Sequence, residues 1–188
     1  MKQLFSNNII TNEIFNRING LSYGEDCNIP LEDLRYLVVP FFNFDNKCEI
    51  GEIICNRLIA NDLIYIFKIL FEAKYQIERI RLIDEYGADD NLSMINNNST
   101  SFNYRKIVGS NKLSKHAHGL AIDINPLYNP YVRGDVVLPA EGRLYVDRNK
   151  PFLHKIDKND LCYKLFVSRG FTWGGDWTDR KDYQHFEK

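Results

Sequence analysis

The sequence predicts an α+β fold in one domain, with a mostly antiparallel sheet packed against helices, and three observations carry that prediction. Its 44% hydrophobic, 13% aromatic and 26% charged positions are the balance of a globular chain, which excludes disorder, collagen and coiled coil. At 188 residues the chain can bury roughly 70% of its unfolded surface, enough for one good core but not comfortably for two. The apolar spacing changes along the chain, from short β-branched and aromatic runs to one long stretch at helical period and back again.

The first run, LRYLVVPFFNF from Leu34, has the residue types of a strand, and Pro40 makes it an edge or irregular one. GEIICN, residues 51–56, reads as a second short strand. From Leu58 to Tyr75, Ile59, Leu63, Ile66, Phe67 and Leu70 recur three and four residues apart, which predicts the main core helix. IERIRLID, residues 77–84, is expected to be a strand, and Gly87 to Thr100 a long polar loop in which Asp89, Asp90 and Ser93 are solvated. SFNYRKIV, residues 101–108, follows as another strand. In GLAIDIN, Leu120, Ile122 and Ile124 share one face of a strand, so Ala121 and Asp123 point to the other. Asp160 caps a helix that runs to Arg169 and stops at Gly170, after which FTWGGDW and YQHFEK supply closing strands.

With 24 Lys plus Arg against 25 Asp plus Glu, the formal charge is -1, so no global field draws nucleic acid or an anionic membrane. The longest apolar runs fall far short of the roughly 18 residues that a membrane span needs. MKQLFSNNIITNEIF lacks the apolar stretch of a Sec signal peptide, so the expected location is the cytoplasm, or the cell wall after lysis or export by another route. Cys27, Cys48, Cys55 and Cys162 form no CxxC pair and are expected to be reduced. The sequence is silent on oligomeric state.

All four histidines, His116, His118, His154 and His185, lie from residue 116 onward, near Asp123, Asp176 and Asp182. His116, Asp123 and His185 could together offer the two imidazoles and one carboxylate that a catalytic zinc takes, with a fourth position left for water. Two histidines and a carboxylate also make the facial triad of non-haem iron oxygenases, but there the first histidine and the acid usually stand nearly adjacent, and here seven positions separate them. A third reading is a non-catalytic binding module that keeps zinc for structure; such a site prefers four protein ligands and has no use for a spare acid such as Asp182.

Ser114, His116, Gly119, Ala121 and Asp123 fill every fixed position of SxHxxGxAxD, and Asp182, His185, Phe186 and Glu187 follow in DYQHFE. These two segments resemble the zinc peptidases that include D-alanyl-D-alanine carboxypeptidases, vancomycin-resistance D,D-dipeptidases and L-alanyl-D-glutamate endolysins. The similarity extends in character from Gly51 to Lys188, whereas residues 1–50 carry no motif and are expected to pack as an extension on a 51–188 peptidase core. The resemblance implies a Hedgehog/D-Ala-D-Ala carboxypeptidase-like fold, zinc (Zn2+) as cofactor and a peptidoglycan stem peptide, or another peptide containing D-amino acids, as substrate.

Carried over residue by residue, the resemblance makes His116, Asp123 and His185 the zinc ligands and Asp182 the general base. Zinc in such a site brings its water's pKa to about 7, and Asp182 would take that water's proton and return it to the departing amine. Arg105 is the candidate for holding a substrate carboxylate or the scissile carbonyl, with Arg81 as its competitor. Ser114 is expected to hydrogen-bond within the site, His118 to lie beside the metal or in the cleft without binding it, and Trp177 to form a cleft wall, while Trp173 packs in the core. Asp176 is a weaker candidate for orienting a ligand, and His154 is expected to be a plain loop residue.

Overall fold

The computed structural model describes residues 5–107 and 110–188. Residues 1–4, at the start of the segment read for a signal peptide, and Val108, at the end of the strand expected over residues 101–108, lie outside them. Strand β1 (Ser6–Ile9) leads into α1 (Asn12–Ile18), whose cap is the Thr11 side chain accepting from the Ile14 N–H. β2 (Leu34–Phe42) and β3 (Cys48–Asn56) pair antiparallel from Leu34 opposite Asn56 to Phe42 opposite Cys48, and β1 pairs with the other side of β2.

β2 is therefore the middle strand of its sheet, not the edge that Pro40 suggests. The described pairs with β1 run from Arg35 to Val38 and stop short of Pro40, so its missing N–H interrupts none of them. Asn56 then caps α2 (Arg57–Glu72) by accepting from the Leu58 N–H. As the spacing predicts, Ile59, Leu63, Ile66, Phe67 and Leu70 form the buried face, and they share one core with Leu37, Val39 and Phe41 of β2.

The middle of the chain differs most from expectation. Only Arg79–Ile80, β4, is strand within residues 77–84; it pairs in parallel with β5 (Asn98–Ser99), and Ile83–Tyr86 coils into a 3-10 turn. The ladder stops because the buried Asn98 side chain takes over as Arg81's neighbour, accepting from its N–H at 2.8 Å and donating to its carbonyl at 3.1 Å. The expected loop holds α3 (Asp90–Ile95), capped by Asp89. Ser101–Arg105 is not a strand either, because its amides find separate partners: Phe102 donates to Ile54, Asn103 to His116 and Tyr104 to Ser22.

The remaining chain supplies β6 (Ala121–Asp123), the pair β7 (Tyr131–Arg133) and β8 (Val136–Leu138), α4 (Leu161–Ser168), β9 (Thr172–Trp173), β10 (Lys181–Asp182) and β11 (His185–Glu187). They build two small antiparallel sheets, ordered β6-β11-β9 and β10-β7-β8. As expected, Asp160 caps α4 and Gly170 follows it with a positive φ of 83°. Ile122, Ile124, Phe166, Trp173 and Phe186 complete the core that α2 begins. The four cysteines are free, and among the described residues no helix is long and apolar enough to cross a membrane.

A surface ion pair fastens α1 to the first sheet: Arg17 donates to both carboxylate oxygens of Glu52 at 2.6 and 2.9 Å, and the Tyr36 hydroxyl donates to the same carboxylate. The Arg17 bond, followed by that of Tyr36, holds the Glu52 pKa below its ordinary value against the opposing effect of burial. A carboxylate so depressed stabilises the fold above its unfolded pKa of about 4.3 and loses that contribution as pH falls through the folded value. Glu52→Gln should therefore lower stability by about 1 kcal/mol at pH 7, a figure kept small by Arg17's exposure, and the gap to the parent should close below about pH 4 in urea titrations.

Candidate metal centre

The site begins with strand register. β6 and β11 pair so that Asp123 stands directly opposite His185, and Ile122 opposite Phe186. Opposed residues project to the same side, so Ile122 and Phe186 enter the core while Asp123 and His185 meet on the other face. This is the face that the alternation in GLAIDIN assigns to Asp123.

His116 arrives from a 3-10 turn, His116–His118, which the other motif residues shape. Ser114 is buried, and its hydroxyl accepts from the Ala117 N–H at 3.1 Å; it stabilises the turn, without touching the cluster. Gly119 ends the turn at φ 64°, and a Cβ there would lie 2.7 Å from the Asn56 backbone nitrogen. That close approach lets the Asn56 N–H donate to the Gly119 carbonyl at 2.8 Å, while the Asn56 amide donates to the His118 carbonyl at 3.1 Å. Because the segment coils, His116 and His118 do not share the face that an extended chain would give them.

His116, Asp123 and His185 each offer one ligand atom, all within 4.8 Å of one another. His116 Nε2 lies 3.1 Å from His185 Nδ1 and 3.3 Å from Asp123 Oδ2, and His185 Nδ1 lies 3.1 Å from Asp123 Oδ1. His116 Nδ1 stands 2.6 Å from the Ser101 carbonyl, which can only accept, so Nδ1 carries a hydrogen and Nε2 is the nitrogen that faces the cluster. Two imidazoles and a carboxylate converging in this way are the donor set of a catalytic zinc, and this group can hold one.

The electrostatics favour positive charge at the centre. Burial alone would raise the Asp123 pKa, but the charges and hydrogen bonds of His116 and then His185 hold it well below the carboxylate range. Burial likewise opposes a charge on His185, yet its bonds to Asp123 and Glu187 lift its pKa to about 10. Asp182 behaves oppositely. Desolvation pushes it up to about 7, with the Asp123 charge adding to the rise, and its Oδ1 is shielded with no hydrogen-bond partner among the described residues. Gly174 permits this packing, since a Cβ at that position would come within 2.7 Å of Asp182 Cβ.

A cavity of about 20 Å³ beside Asp123 is also lined by Arg105, Asp90, Ser93, Thr100 and Gln184. Arg105 thus faces the cluster's surroundings, ion-paired with Asp90 of α3. Asp90 and Ser93 are not the solvated loop residues expected: Asp90 pairs with Arg105 and Ser93 is buried. Arg81 lies elsewhere, bound to Glu49 and to the Ile50 carbonyl along a separate groove. Trp177 packs its ring 5.4 Å from that of His185, whereas Trp173 is in the core, as expected. Asp176 pairs with Lys158, His118 stands outside the cluster, and His154 stacks on Phe44 at 3.5 Å.

Sequence reasoning missed two partners of the cluster. Glu187 accepts from His185 Nε2 at 3.0 Å, a contact that the two-residue strand period places on one face. The Ser101 carbonyl is main chain, and no side-chain pattern reveals it.

Two buried histidines and an aspartate that could hold a metal ion thus stand near a partly shielded second aspartate. Residues 108–188 match the model of the family described as D-alanyl-D-alanine carboxypeptidase, which is the zinc peptidase family that the two motifs resemble. The match indicates a hydrolase, and the family implies a peptide substrate. No curated protein and no solved structure matches the chain.

The turn geometry yields a test. Gly119→Ala should cost about 1–3 kcal/mol from the left-handed backbone alone, and more from the contact with Asn56. The urea midpoint should fall and zinc affinity should fall with it, because His116 sits three residues before the distorted position.

Proposed function

We propose that the protein is a zinc-dependent peptidase that hydrolyses amide bonds of peptidoglycan stem peptides, of the D-alanyl-D-alanine carboxypeptidase or the L-alanyl-D-glutamate endopeptidase type. One observation carries the reading: His116, Asp123 and His185 converge near Asp182, whose shielded Oδ1 has no hydrogen-bond partner among the described residues. In this reading His116, Asp123 and His185 hold the metal, which when bound supplies a Lewis acid and lowers the pKa of water. The whole chain acts as one catalytic domain, with residues 1–50 packed on 51–188; Leu37 and Phe41 share a core with Ile122 and Phe186, which supports it.

Asp182 is the general base. Its shielded carboxyl, held near pH 7 in its affinity for a proton, can take a proton from water and give it to a departing amine. A structural metal would leave such a group without a task, and burying it costs stability, which weighs against a non-catalytic binding module. Trp177, against the His185 ring, shields one side of the site. Arg105 is the group that meets substrate, either its carboxylate or the scissile carbonyl. Its pairing with Asp90 means that a free terminal carboxylate must compete with a carboxylate already in place, which favours the endopeptidase type.

Digestion of purified cell walls and synthetic stem peptides, with and without a zinc chelator, tests the proposal by mass spectrometry of the new termini. A new N-terminal D-glutamate is the expected product, released D-alanine would assign the carboxypeptidase type, and zinc-bound protein that cleaves neither would refute the reading. Asp182→Asn should lower turnover by about 10²–10⁴ while zinc stays bound, and unchanged turnover would remove Asp182 from the mechanism.

A further inference from the structure

We propose that Glu187 is a positioning residue that selects the tautomer and orientation of His185, an assignment that rests on the zinc peptidase reading. β11 projects His185 and Glu187 to one side and sends Phe186, fully buried, into the core between them. The carboxylate lies 3.0 Å from His185 Nε2. An ionised carboxylate only accepts, so Nε2 carries a hydrogen, and once the ring gives up its second proton to bind zinc the lone pair it offers is at Nδ1. Nδ1 is the atom that faces the cluster, 3.1 Å from both His116 Nε2 and Asp123 Oδ1.

The two histidines therefore need opposite tautomers. His116 turns Nε2 inward and donates from Nδ1 to a main-chain carbonyl, while His185 turns Nδ1 inward and donates from Nε2 to Glu187. Turning the His185 ring over would put a carbon where Nδ1 now stands. Trp177 packs its ring 5.4 Å from that of His185, a tilted contact between rings. Glu187 distinguishes the two His185 nitrogens, and a carboxylate in this place also increases the basicity of the ligating nitrogen.

The test compares the full-length parent with Glu187→Ala and Glu187→Gln. Zinc affinity is read by competition with a chromophoric chelator, and the histidine ring protons by long-range 1H–15N spectra of the zinc-loaded proteins. Loss of the acceptor in Glu187→Ala should weaken zinc about 10–100-fold and speed exchange of the His185 Nε2 proton. Gln keeps an acceptor oxygen at the same reach, so Glu187→Gln should recover most of the affinity and the slow proton. Parent-like affinity and exchange in Glu187→Ala would overturn the assignment, as would a Gln variant no better than Ala. A parent chain that binds no zinc would instead overturn the zinc reading itself, and the role of Glu187 with it.

Discussion

The pairing of Asp123 with His185 across β6 and β11 is the constraint from which the rest of the site follows. Its precision comes from the opposite face. Phe186 is fully buried, stacks on Phe166 at 4.3 Å and lies 6.5 Å from Trp173, while Ile122 beside it is equally buried. A slip of one residue would drive Asp123 or His185 into that aromatic core and turn a large apolar side chain outward. Hydrophobic packing thus fixes the positions of two polar side chains that contribute nothing to it. Short strands suffice, because the core rather than the length of the ladder sets the register.

The third member of the cluster depends on the other half of the chain. Asn56 ends β3, caps α2 with its side-chain Oδ1, and gives both its main-chain and its side-chain N–H to the turn that carries His116. The N-terminal hairpin and the main helix are in this way coupled to the cluster of His116, Asp123 and His185 without supplying any member of it. Gly119 is required where the two segments touch, since backbone lies against backbone there. Ser101 adds a second link, its hydroxyl donating to the Ala121 carbonyl while its own carbonyl orients His116.

What the sequence makes legible follows from which physical signal each element carries. α2 and β6 are readable because a continuous apolar face repeats at a fixed period, and the His116, Asp123 and His185 cluster is readable as a candidate because its chemistry resides in side chains at motif spacing. Residues 77–105 defeat the same reasoning. There Asn98 imitates a neighbouring strand with its amide, and the amides of Phe102, Asn103 and Tyr104 bond to partners in three different parts of the chain. Such tertiary hydrogen bonds leave no periodic trace. The partners of Arg81 and Arg105 are equally closed to sequence, because Glu49 and Asp90, which bind them, come from a strand and a helix that no local pattern connects to either arginine.

Asp182 shows the opposite relation between stability and chemistry from the one at the β6–β11 pair. A shielded polar atom left without a partner costs about 1–3 kcal/mol, and the neighbouring Asp123 charge adds repulsion. Relief would be simple in principle, since a donor side chain in place of Gly174 could satisfy the carboxyl; yet a Cβ there would collide with Asp182. The same glycine that lets the acid approach thereby leaves no room for such a donor. The surrounding core carries this cost, and in return the carboxyl retains a free oxygen and a proton affinity near neutrality, the two properties that an exposed or well-bonded aspartate would lack.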